Sequence, residues 1–323
     1  MTDGRFIEVD RVEKVFDVRR RTGFLKRERR RVRAVDSLSF TVARGEMVGY
    51  IGPNGAGKST TVKMLTGILT PSGGRLRVAG IEPARERTRL AYRIGVVFGQ
   101  RTTLWWDLPL VDSYRLMHRM YRIPDARYRA NLDRLVGLLD LGALLDVPVR
   151  QLSLGQRMRG DIAAALLHDP EVLYLDEPTI GLDVVSKAKV REFLREVNAE
   201  RGTTVLLTTH DLQDIEQLCS RVMVIDHGRM VYDGALAGLR EAGGSERTLV
   251  VDLERELPPI AVPPPARVVR VAGPRQWLAF PASQSAAPLV ARIAAEYPLV
   301  DLSVREPDIE AVIADMYAGR TTP

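Results

Sequence analysis

The chain has 323 residues, of which 45% are hydrophobic and 27% charged, a composition typical of a water-soluble globular protein with one large domain or two ordinary ones. No apolar run approaches the roughly 20 residues that a membrane-spanning helix needs, and the first residues lack the basic-then-apolar pattern of a secretory signal. A single cysteine, Cys219, excludes an intramolecular disulfide framework and predicts a reducing, cytoplasmic setting.

The net charge of +6 is concentrated near the N-terminus. The segment 19-RRRTGFLKRERRRVR-33 contains nine arginine or lysine residues and one acid, Glu28. Such a run predicts contact with nucleic acid, an anionic membrane surface or an acidic partner. A solvated loop without any partner remains the alternative.

The predicted elements begin with two strands, over residues 5–15 and 38–51, separated by the basic segment. The run 47-MVGYI-51 is apolar throughout, as in a strand buried on both faces of a parallel sheet. A glycine-rich loop and a helix over 58–69 follow it. A turn at 71–74 then precedes another strand, at 75–80.

Strands and helices alternate through the rest of the first 240 residues, which predicts a parallel α/β sheet. Buried strands are expected at 94–98, 172–175, 204–209 and 222–225, and a mostly helical block is expected from 107 to 168. After residue 246 the pattern changes. Strands at 247–252, 267–271, 277–280 and 300–304, helices at 286–296 and 308–317, and a proline-rich stretch at 258–265 predict a small α+β domain without recognisable chemistry.

The segment 52-GPNGAGKST-60 matches the phosphate-loop pattern G-x-x-x-x-G-K-[ST]. Backbone N–H groups around Gly55, Gly57 and Lys58 are expected to cradle phosphates at the start of a helix. The ammonium of Lys58 is expected to reach the β- and γ-phosphates, and the hydroxyl of Ser59 to bind Mg²⁺. An incidental glycine turn is disfavoured, because a buried strand precedes the motif and a helical pattern follows it.

Polar residues follow three of the predicted strands. In 172-VLYLDEPT-179, Asp176 is predicted to help hold Mg²⁺, and Glu177 to polarise the attacking water. Gln100 is predicted to touch the metal or the water, and His210 to contact the γ-phosphate. Taken singly, each of these residues could equally be an ordinary polar group at a strand end.

Together with 153-SLGQ-156 and 181-GLD-183, these motifs occur in the order found in ATP-binding cassette (ABC) ATPases, which the chain resembles over about residues 5–235. The stretches 98-FGQRTTLWWDLP-109 and 152-LSLGQRMR-159 look like those of cassettes serving ABC-2-type exporters, such as the sodium-efflux and drug-efflux ATPases. The basic insertion and the C-terminal appendage also fit this subgroup.

The resemblance implies a phosphate-loop NTPase fold of the ABC type, with a parallel sheet core, an antiparallel β subdomain and a helical subdomain at about 101–168. We expect the cassette to occupy residues 1–245 and an α+β accessory domain to occupy 246–323. In this family two cassettes face each other head to tail. The lysine loop of one copy and the signature loop of the other then hold each ATP between them, which explains why the second loop needs no lysine.

The resemblance also implies a set of site residues. Ser153 and the N–H of Gly155 are expected to bind the γ-phosphate across the interface, and Phe16 to stack on adenine unless it is simply a core residue. Catalysis is assigned to Glu177, His210 and Gln100, and Mg²⁺ binding to Ser59, Gln100 and Asp176. The nucleotide-binding residues are Phe16, Gly52, Asn54, Gly55, Ala56, Gly57, Lys58, Ser59, Thr60, Ser153, Gly155, Gln156 and Asp183.

The sequence departs from the family pattern at a few positions. Leu154 stands where the usual signature has glycine, which narrows the allowed backbone, yet activity is expected to survive. Ile180 and Val184 replace a common serine and proline, with little expected effect. Trp105 and Trp106 either contact a permease or pack within the helical block.

The predicted function is therefore an ATP-binding and ATP-hydrolysing subunit of an ABC-2-type exporter. It would act as a homodimer on a separate permease, peripherally at the cytoplasmic face of the cell membrane, with possible anionic lipid contact through residues 19–33 and no nucleic acid. A nucleic-acid- or ribosome-associated ABC ATPase is the main alternative, suggested by the isoelectric point near 9.6. A phosphate-loop kinase is a weaker one, because it leaves 153-SLGQ-156 unexplained.

Overall fold

A computed structural model describes residues 4–21, 27–99, 101–209, 211–242, 246–281 and 284–305. The chain forms two compact units, Met1–Asp233 and Gly234–Pro323. The predicted helix at 308–317 lies outside the described residues.

The strands are β1 (Arg5–Arg21), β2 (Arg27–Ala43), β3 (Met47–Ile51), β4 (Gly73–Val78), β5 (Ile94–Phe98), β6 (Val172–Asp176), β7 (Thr204–Thr208), β8 (Arg221–Asp226), β9 (Arg229–Ala235), β10 (Glu246–Leu253), β11 (Arg267–Ala272), β12 (Arg275–Pro281) and β13 (Leu299–Arg305). The α-helices are α1 (Lys58–Leu65), α2 (Arg87–Ala91), α3 (Leu110–Met120), α4 (Asp125–Leu138), α5 (Leu154–Leu166), α6 (Val184–Arg201), α7 (Leu212–Leu218), α8 (Leu236–Ala242) and α9 (Ala287–Glu296).

The central sheet has six strands in the order β5-β6-β7-β3-β8-β9. The first five of these are joined by parallel pairs, and every residue of β3 and β7 is buried. Burial on both faces explains why these strands are continuous apolar runs rather than alternating ones. The predicted parallel α/β core is confirmed, and the carboxyl ends of its parallel strands meet at one edge.

A second, antiparallel sheet has the order β2-β1-β4. Its first two strands have 17 residues each, so much of the basic segment belongs to a long hairpin rather than to an insertion between short strands. The prediction of one strand over 38–51 was wrong, because a turn over residues 44–46 separates β2 from β3. Both sheets share a core with α1, in which Val35, Val62 and Tyr50 are buried.

Helices α3, α4 and α5 form the helical block between β5 and β6. The carboxylate of Asp161 in α5 accepts hydrogen bonds from the hydroxyl of Thr102 at 2.9 Å and from the N–H of Thr103 at 2.8 Å. Burial raises the pKa of Asp161, although these hydrogen bonds act in the opposite direction. These hydrogen bonds hold the segment after β5 against α5.

Cys219 follows α7 and is buried, with 5% of its surface exposed. Burial raises the pKa of its thiol to about 12, and the nearby charge of Asp214 acts in the same direction. Cys219 therefore packs as a small buried hydrophobic residue.

The second unit contains an antiparallel sheet in the order β11-β12-β10-β13, together with α9. Apolar residues from the sheet, the proline-rich stretch and the helix, such as Leu278, Ile260 and Ile293, form its core. The side chain of Gln276 is fully buried. It accepts from the N–H of Ile260 at 2.9 Å and donates to the carbonyls of Leu257 and Pro258, each at 3.1 Å.

We expect Gln276→Leu to destabilise the second unit by about 2–4 kcal/mol, because it leaves the buried N–H of Ile260 and the carbonyls of Leu257 and Pro258 without their side-chain partner. Amide hydrogen exchange of β10 and β12 should become faster. Gln284→Leu makes the same chemical change at an exposed position and should leave exchange unchanged. Equal exchange in the two variants would contradict this role of Gln276.

Candidate active site

The phosphate loop connects β3 to α1, as the sequence predicts. Gly57 caps α1 with φ +105° and without a side-chain hydrogen bond, so the first N–H groups of the helix face the loop. A Cβ on Gly57 would lie 2.5 Å from the carbonyl oxygen of Ala34. Only glycine therefore allows the loop to lie this close to β2. The resulting helix N-terminus is suited to binding phosphate.

Lys58 lies across the same loop. Its ammonium donates hydrogen bonds to the carbonyls of Gly52 at 2.5 Å and Pro53 at 3.2 Å. Burial lowers the pKa of Lys58, while the charges of Glu177 and Asp176 act in the opposite direction. The ammonium is thus held among backbone carbonyls and lies close to two acidic residues.

Asp176 and Glu177 occupy the end of β6 and the turn after it. The hydroxyl of Thr208, on the neighbouring strand β7, donates to the carboxylate of Asp176 at 2.5 Å. The N–H of Glu177 donates to the carbonyl of Thr208 at 2.8 Å. Glu177 has φ +54°, a left-handed conformation that costs a non-glycine residue about 1–3 kcal/mol. Strain at a carboxylate in a cleft is typical of functional sites.

A cleft of about 570 Å³ brings the phosphate loop and these carboxylates together. The predicted site residues that line it are Asn54, Gly55, Gly57, Lys58, Ser59, Thr60, Asp176 and Glu177. Gly52 and Ala56 belong to the loop but are not part of this lining. The two carboxylates predicted from the sequence, Asp176 and Glu177, thus line the same cleft as the predicted phosphate loop.

Gln100 and His210 lie outside the described residues. Gly99 and Arg101, on either side of Gln100, line the cleft, and Thr209 is the last described residue before His210. The N–H of Gly99 donates to the carbonyl of Asp176 at 2.7 Å. A Cβ on Gly99 would lie 2.7 Å from that same oxygen, so the two backbones approach as closely as glycine permits.

The signature segment begins α5. The hydroxyl of Ser153 accepts from the N–H of Gln156 at 3.2 Å, and the amide oxygen of Gln156 accepts from the N–H of Ser153 at 2.8 Å. This capping box orders the helix start. A hydroxyl that accepts one bond keeps its own hydrogen to donate. Neither these two residues nor Gly155 lines the cleft that holds Lys58.

Leu154, the first residue of α5, has an ordinary helical backbone, so the expected narrowing of the backbone causes no strain here. Its side chain covers Gly181, which has φ +68°; a Cβ there would lie 2.3 Å from Leu154 Cδ2. Asp183 caps α6 and accepts from the N–H of Ser186 at 2.9 Å and its hydroxyl at 2.7 Å. The hydrogen bond from that hydroxyl lowers the pKa of Asp183. Val184, the first residue of α6, is exposed.

The predicted aromatic contacts lie apart from the cleft lining. Phe16 is half-buried in β1, opposite Val32, and the ammonium of Lys14 lies 5.1 Å from its ring centroid. Trp105 and Trp106 are exposed by 36% and 49%. The guanidinium of Arg157 lies 5.4 Å from the ring centroid of Trp106.

Several residues of the cleft were not predicted. Ala34, Lys63, Ile68 and Arg101 line it, and of these four only Arg101 lies in a subgroup stretch, 98-FGQRTTLWWDLP-109. Thr208, which hydrogen-bonds Asp176, could have been identified as a polar residue that ends the apolar strand before His210. Ala34 reaches the cleft from β2 and Lys63 from α1, placements that a single sequence does not show, whereas Arg101 directly follows the predicted Gln100.

Comparison with known proteins identifies the family. A model described as "ABC transporter" matches residues 35–180. The daunorubicin resistance ATP-binding protein DrrA3 of Streptomyces coeruleorubidus is 41% identical over 219 residues, which are 68% of this chain and 69% of that protein. The chain belongs to the ABC transporter family. It is an ATP-binding cassette and an ATPase, as its motifs predict.

Other ABC proteins resemble the chain over a similar range. ABC transporter ATP-binding protein NatA of Bacillus subtilis is 34% identical, covering 67% of this chain and 87% of NatA. Nod factor export ATP-binding protein I of Paraburkholderia xenovorans is 43% identical, covering 64% and 67% respectively. The predicted resemblance to exporter cassettes is thus confirmed.

Solved structures confirm the cassette fold. An ATP-binding subunit of an ABC transporter superposes with a TM-score of 0.64 at 28% identity, covering 74% of this chain and 93% of that one. The dimeric cassette MJ0796, in a post-hydrolysis state bound to ADP and Pi, gives 0.62 at 25% identity, covering 71% and 98%. Among the described residues of this chain, no helix has both the length and the apolar character needed to cross a bilayer.

We expect Gly99→Ala to lower ATPase activity about tenfold or more, because its Cβ would push the chain after β5 away from Asp176 and displace cleft groups by a fraction of an ångström. Stability should fall by about 1–3 kcal/mol. Steady-state ATP hydrolysis and thermal unfolding measure both effects.

Gly137→Ala is the matched control for this prediction. A Cβ there meets nothing within 4 Å, and the position is exposed within α4, so neither activity nor stability should fall. If Gly99→Ala behaves like Gly137→Ala, the close approach at Asp176 is not required for activity.

Proposed function

We propose that the cleft binds MgATP and that Glu177 activates the water that attacks the γ-phosphate. The observation that carries this proposal is the common cleft lined by Lys58, Ser59, Asp176 and Glu177. The Ser59 hydroxyl and the Asp176 carboxylate are hard oxygen ligands, which suit Mg²⁺ completed by phosphate oxygens and water. A bound Mg²⁺ would neutralise phosphate charge. Gln100 and His210 complete the proposed catalytic set.

Glu177 is assigned the role of base because of where it is held. Its backbone is fixed at the end of the central sheet, so its carboxylate lies at the cleft wall next to Asp176. Asp176 is engaged by the Thr208 hydroxyl and suits a ligand role. Two adjacent carboxylates with different surroundings can therefore divide the work of holding the metal and accepting a proton.

A second copy of the chain is the proposed partner that completes each site. The cleft lacks any lining residue from the start of α5, where Ser153, Gly155 and Gln156 form an ordered helix N-terminus. Such a terminus favours an anion. We propose that it contacts the γ-phosphate held by the other copy. In that arrangement ATP binding closes the dimer and hydrolysis weakens it, and Asp183 lies at the same interface.

Glu177→Gln should slow ATP hydrolysis by about 10²–10⁴-fold, because a general base contributes about this factor, and should trap an ATP-bound dimer. Turnover and size-exclusion chromatography with ATP measure the two effects. Glu192→Gln, the same change at an exposed position in α6, should hydrolyse ATP at the parental rate and remain untrapped. If Glu177→Gln hydrolyses ATP at the parental rate, Glu177 is not the general base.

Export through a separate ABC-2-type permease is the proposed transport role. Support comes from the relatives named for daunorubicin resistance and for Nod factor export. We propose that the exposed Trp105 and Trp106 contact this permease, since exposed tryptophans often anchor interfaces. The cassette would then lie against the cytoplasmic face of the cell membrane.

The hairpin formed by β1 and β2 is the proposed contact with anionic lipid. Arg30 and Arg31 are exposed, and the Arg31–Asp17 ion pair, at 3.4 Å, is itself exposed, so it holds Arg31 only weakly. Val18 and Val32, on the same hairpin, are 46% and 40% exposed. Basic and apolar groups side by side suit a lipid headgroup surface.

Replacing Arg29, Arg30 and Arg31 by glutamine should weaken binding to anionic liposomes about 100-fold, since each basic residue contributes about 1 kcal/mol at such a surface. Flotation with phosphatidylserine vesicles measures this. Replacing Arg85, Arg87 and Arg89, three exposed arginines outside the hairpin, removes the same charge elsewhere and should matter much less. An equal loss of liposome binding in both triple variants would mean that binding depends on the net charge of the protein and not on the hairpin.

A further inference from the structure

A buried ion pair lies behind the turn that carries Glu177. Arg191 of α6 donates from Nε to Oδ1 of Asp214 in α7 at 2.6 Å. The side chain of Asp214 is fully buried, and that of Arg191 is only 8% exposed. Taking two charges out of water is expensive, and the attraction between them often fails to compensate for it. A buried pair of this kind is therefore weak evidence for stability.

The second carboxylate oxygen of Asp214 joins two loops. Its Oδ2 accepts hydrogen bonds from the hydroxyl of Thr179, in the turn after β6, and from that of Thr209, after β7, at 3.4 Å. Thr179 and Thr209 are themselves buried, with 2% and 3% of their surface exposed. One carboxylate thus ties together the chain segments that leave two neighbouring strands.

The same region is fastened a second time. The hydroxyl of Thr209 accepts from the N–H of Asp211 at 2.9 Å, and the ammonium of Lys187 in α6 donates to the carboxylate of Asp211 at 2.5 Å. Burial tends to raise the pKa of Asp211, but the hydrogen bond from Lys187 and the charges of Lys187 and Arg191 lower it overall. Both anchors run from α6 to the segment after β7.

These anchors bear on the backbone conformation of Glu177. Its left-handed backbone persists only if the surrounding contacts outweigh the strain. On one side its N–H is held by the carbonyl of Thr208 at 2.8 Å. On the other side the turn passes, two residues later, through Thr179 and its bond to Asp214. Release of Thr179 would remove the side-chain anchor on that side, where the carbonyl of Glu177 also accepts a hydrogen bond from the N–H of Ile180 at 3.2 Å.

We propose that Asp214, held by Arg191, is a positioning residue that sets the carboxylate of Glu177 through the hydroxyl of Thr179. This inference rests on the proposed role of Glu177 as the base. Asp214 does not line the cleft and acts only through the turn. A shift of the base by about 1 Å can cost roughly a hundredfold in rate, whereas phosphate binding depends on the separate loop at Lys58.

Thr179→Val tests this role, because valine matches the shape of threonine but lacks the hydroxyl. We expect kcat for ATP hydrolysis to fall about 10- to 100-fold with little change in KM or in nucleotide Kd, as for loss of an interaction specific to the transition state. Thr179→Ser keeps the hydroxyl and should retain kcat to within about threefold. Circular dichroism and the melting temperature establish that both variants are folded.

Three results would overturn the proposal: parental kcat in Thr179→Val, an equal loss of kcat in Thr179→Ser, or a rise in KM with unchanged kcat. If Thr179→Val does not fold, Arg191→Lys replaces it. Lysine keeps the charge but loses the fork of donors. The expected result is again a loss confined to kcat, and a parental kcat in that folded variant would likewise overturn the proposal.

A double variant separates this inference from the proposed function. If Asp214 and Thr179 act through Glu177, adding Thr179→Val to Glu177→Gln should cause no further loss of rate, because residues that act as a unit are not additive. Multiplicative losses would contradict the inference alone. Parental turnover by Glu177→Gln would instead contradict the assignment of the base, whatever Thr179→Val does.

Discussion

A backbone contact at the carboxyl edge of the central sheet governs the candidate active site. The amide of Gly99 meets the carbonyl of Asp176 at 2.7 Å, so the chain leaving β5 runs directly against the turn that bears the two carboxylates. A side chain at either Gly99 or Gly57 would collide with a backbone carbonyl, which cannot move aside as a flexible side chain can. The cleft has its shape because glycine at these two positions lets the backbones lie in contact.

Two helix starts in this cassette are built differently, and the difference fits their proposed tasks. The first turn of α1 has no side-chain cap, so its N–H groups are left to a ligand from outside the helix. The first turn of α5 is ordered by its own serine and glutamine. A preordered terminus loses less conformational freedom when it meets an anion presented by another molecule.

Local features made much of this structure predictable. Continuous apolar runs identified β3, β5, β6 and β7, and glycines followed by lysine and serine identified the phosphate loop. Long-range pairing was less accessible. The point where β2 ends and the length of the hairpin both depend on how β2 pairs with β1. That pairing register is set by contacts between residues far apart in the sequence.

Side-chain partners far apart in sequence were invisible for the same reason. Leu154 covers Gly181 across 27 positions (181 − 154), and Thr179 bonds to Asp214 across 35. Neither pair forms a motif, so only the folded chain reveals them. The buried charge of Asp214 also runs against the hydrophobic pattern of a short helix, which is where sequence rules often fail at functional sites.

The buried thiol of Cys219 can report local unfolding of the chain around it. A protonated thiol beneath the surface reacts with alkylating or disulfide reagents only when the end of α7 exposes it. Because the chain has 1 cysteine, every modification event reports the same place, a short distance along the helix from Asp214. The rate of labelling, followed with and without nucleotide, therefore counts how often that part of the cassette loosens during its working cycle.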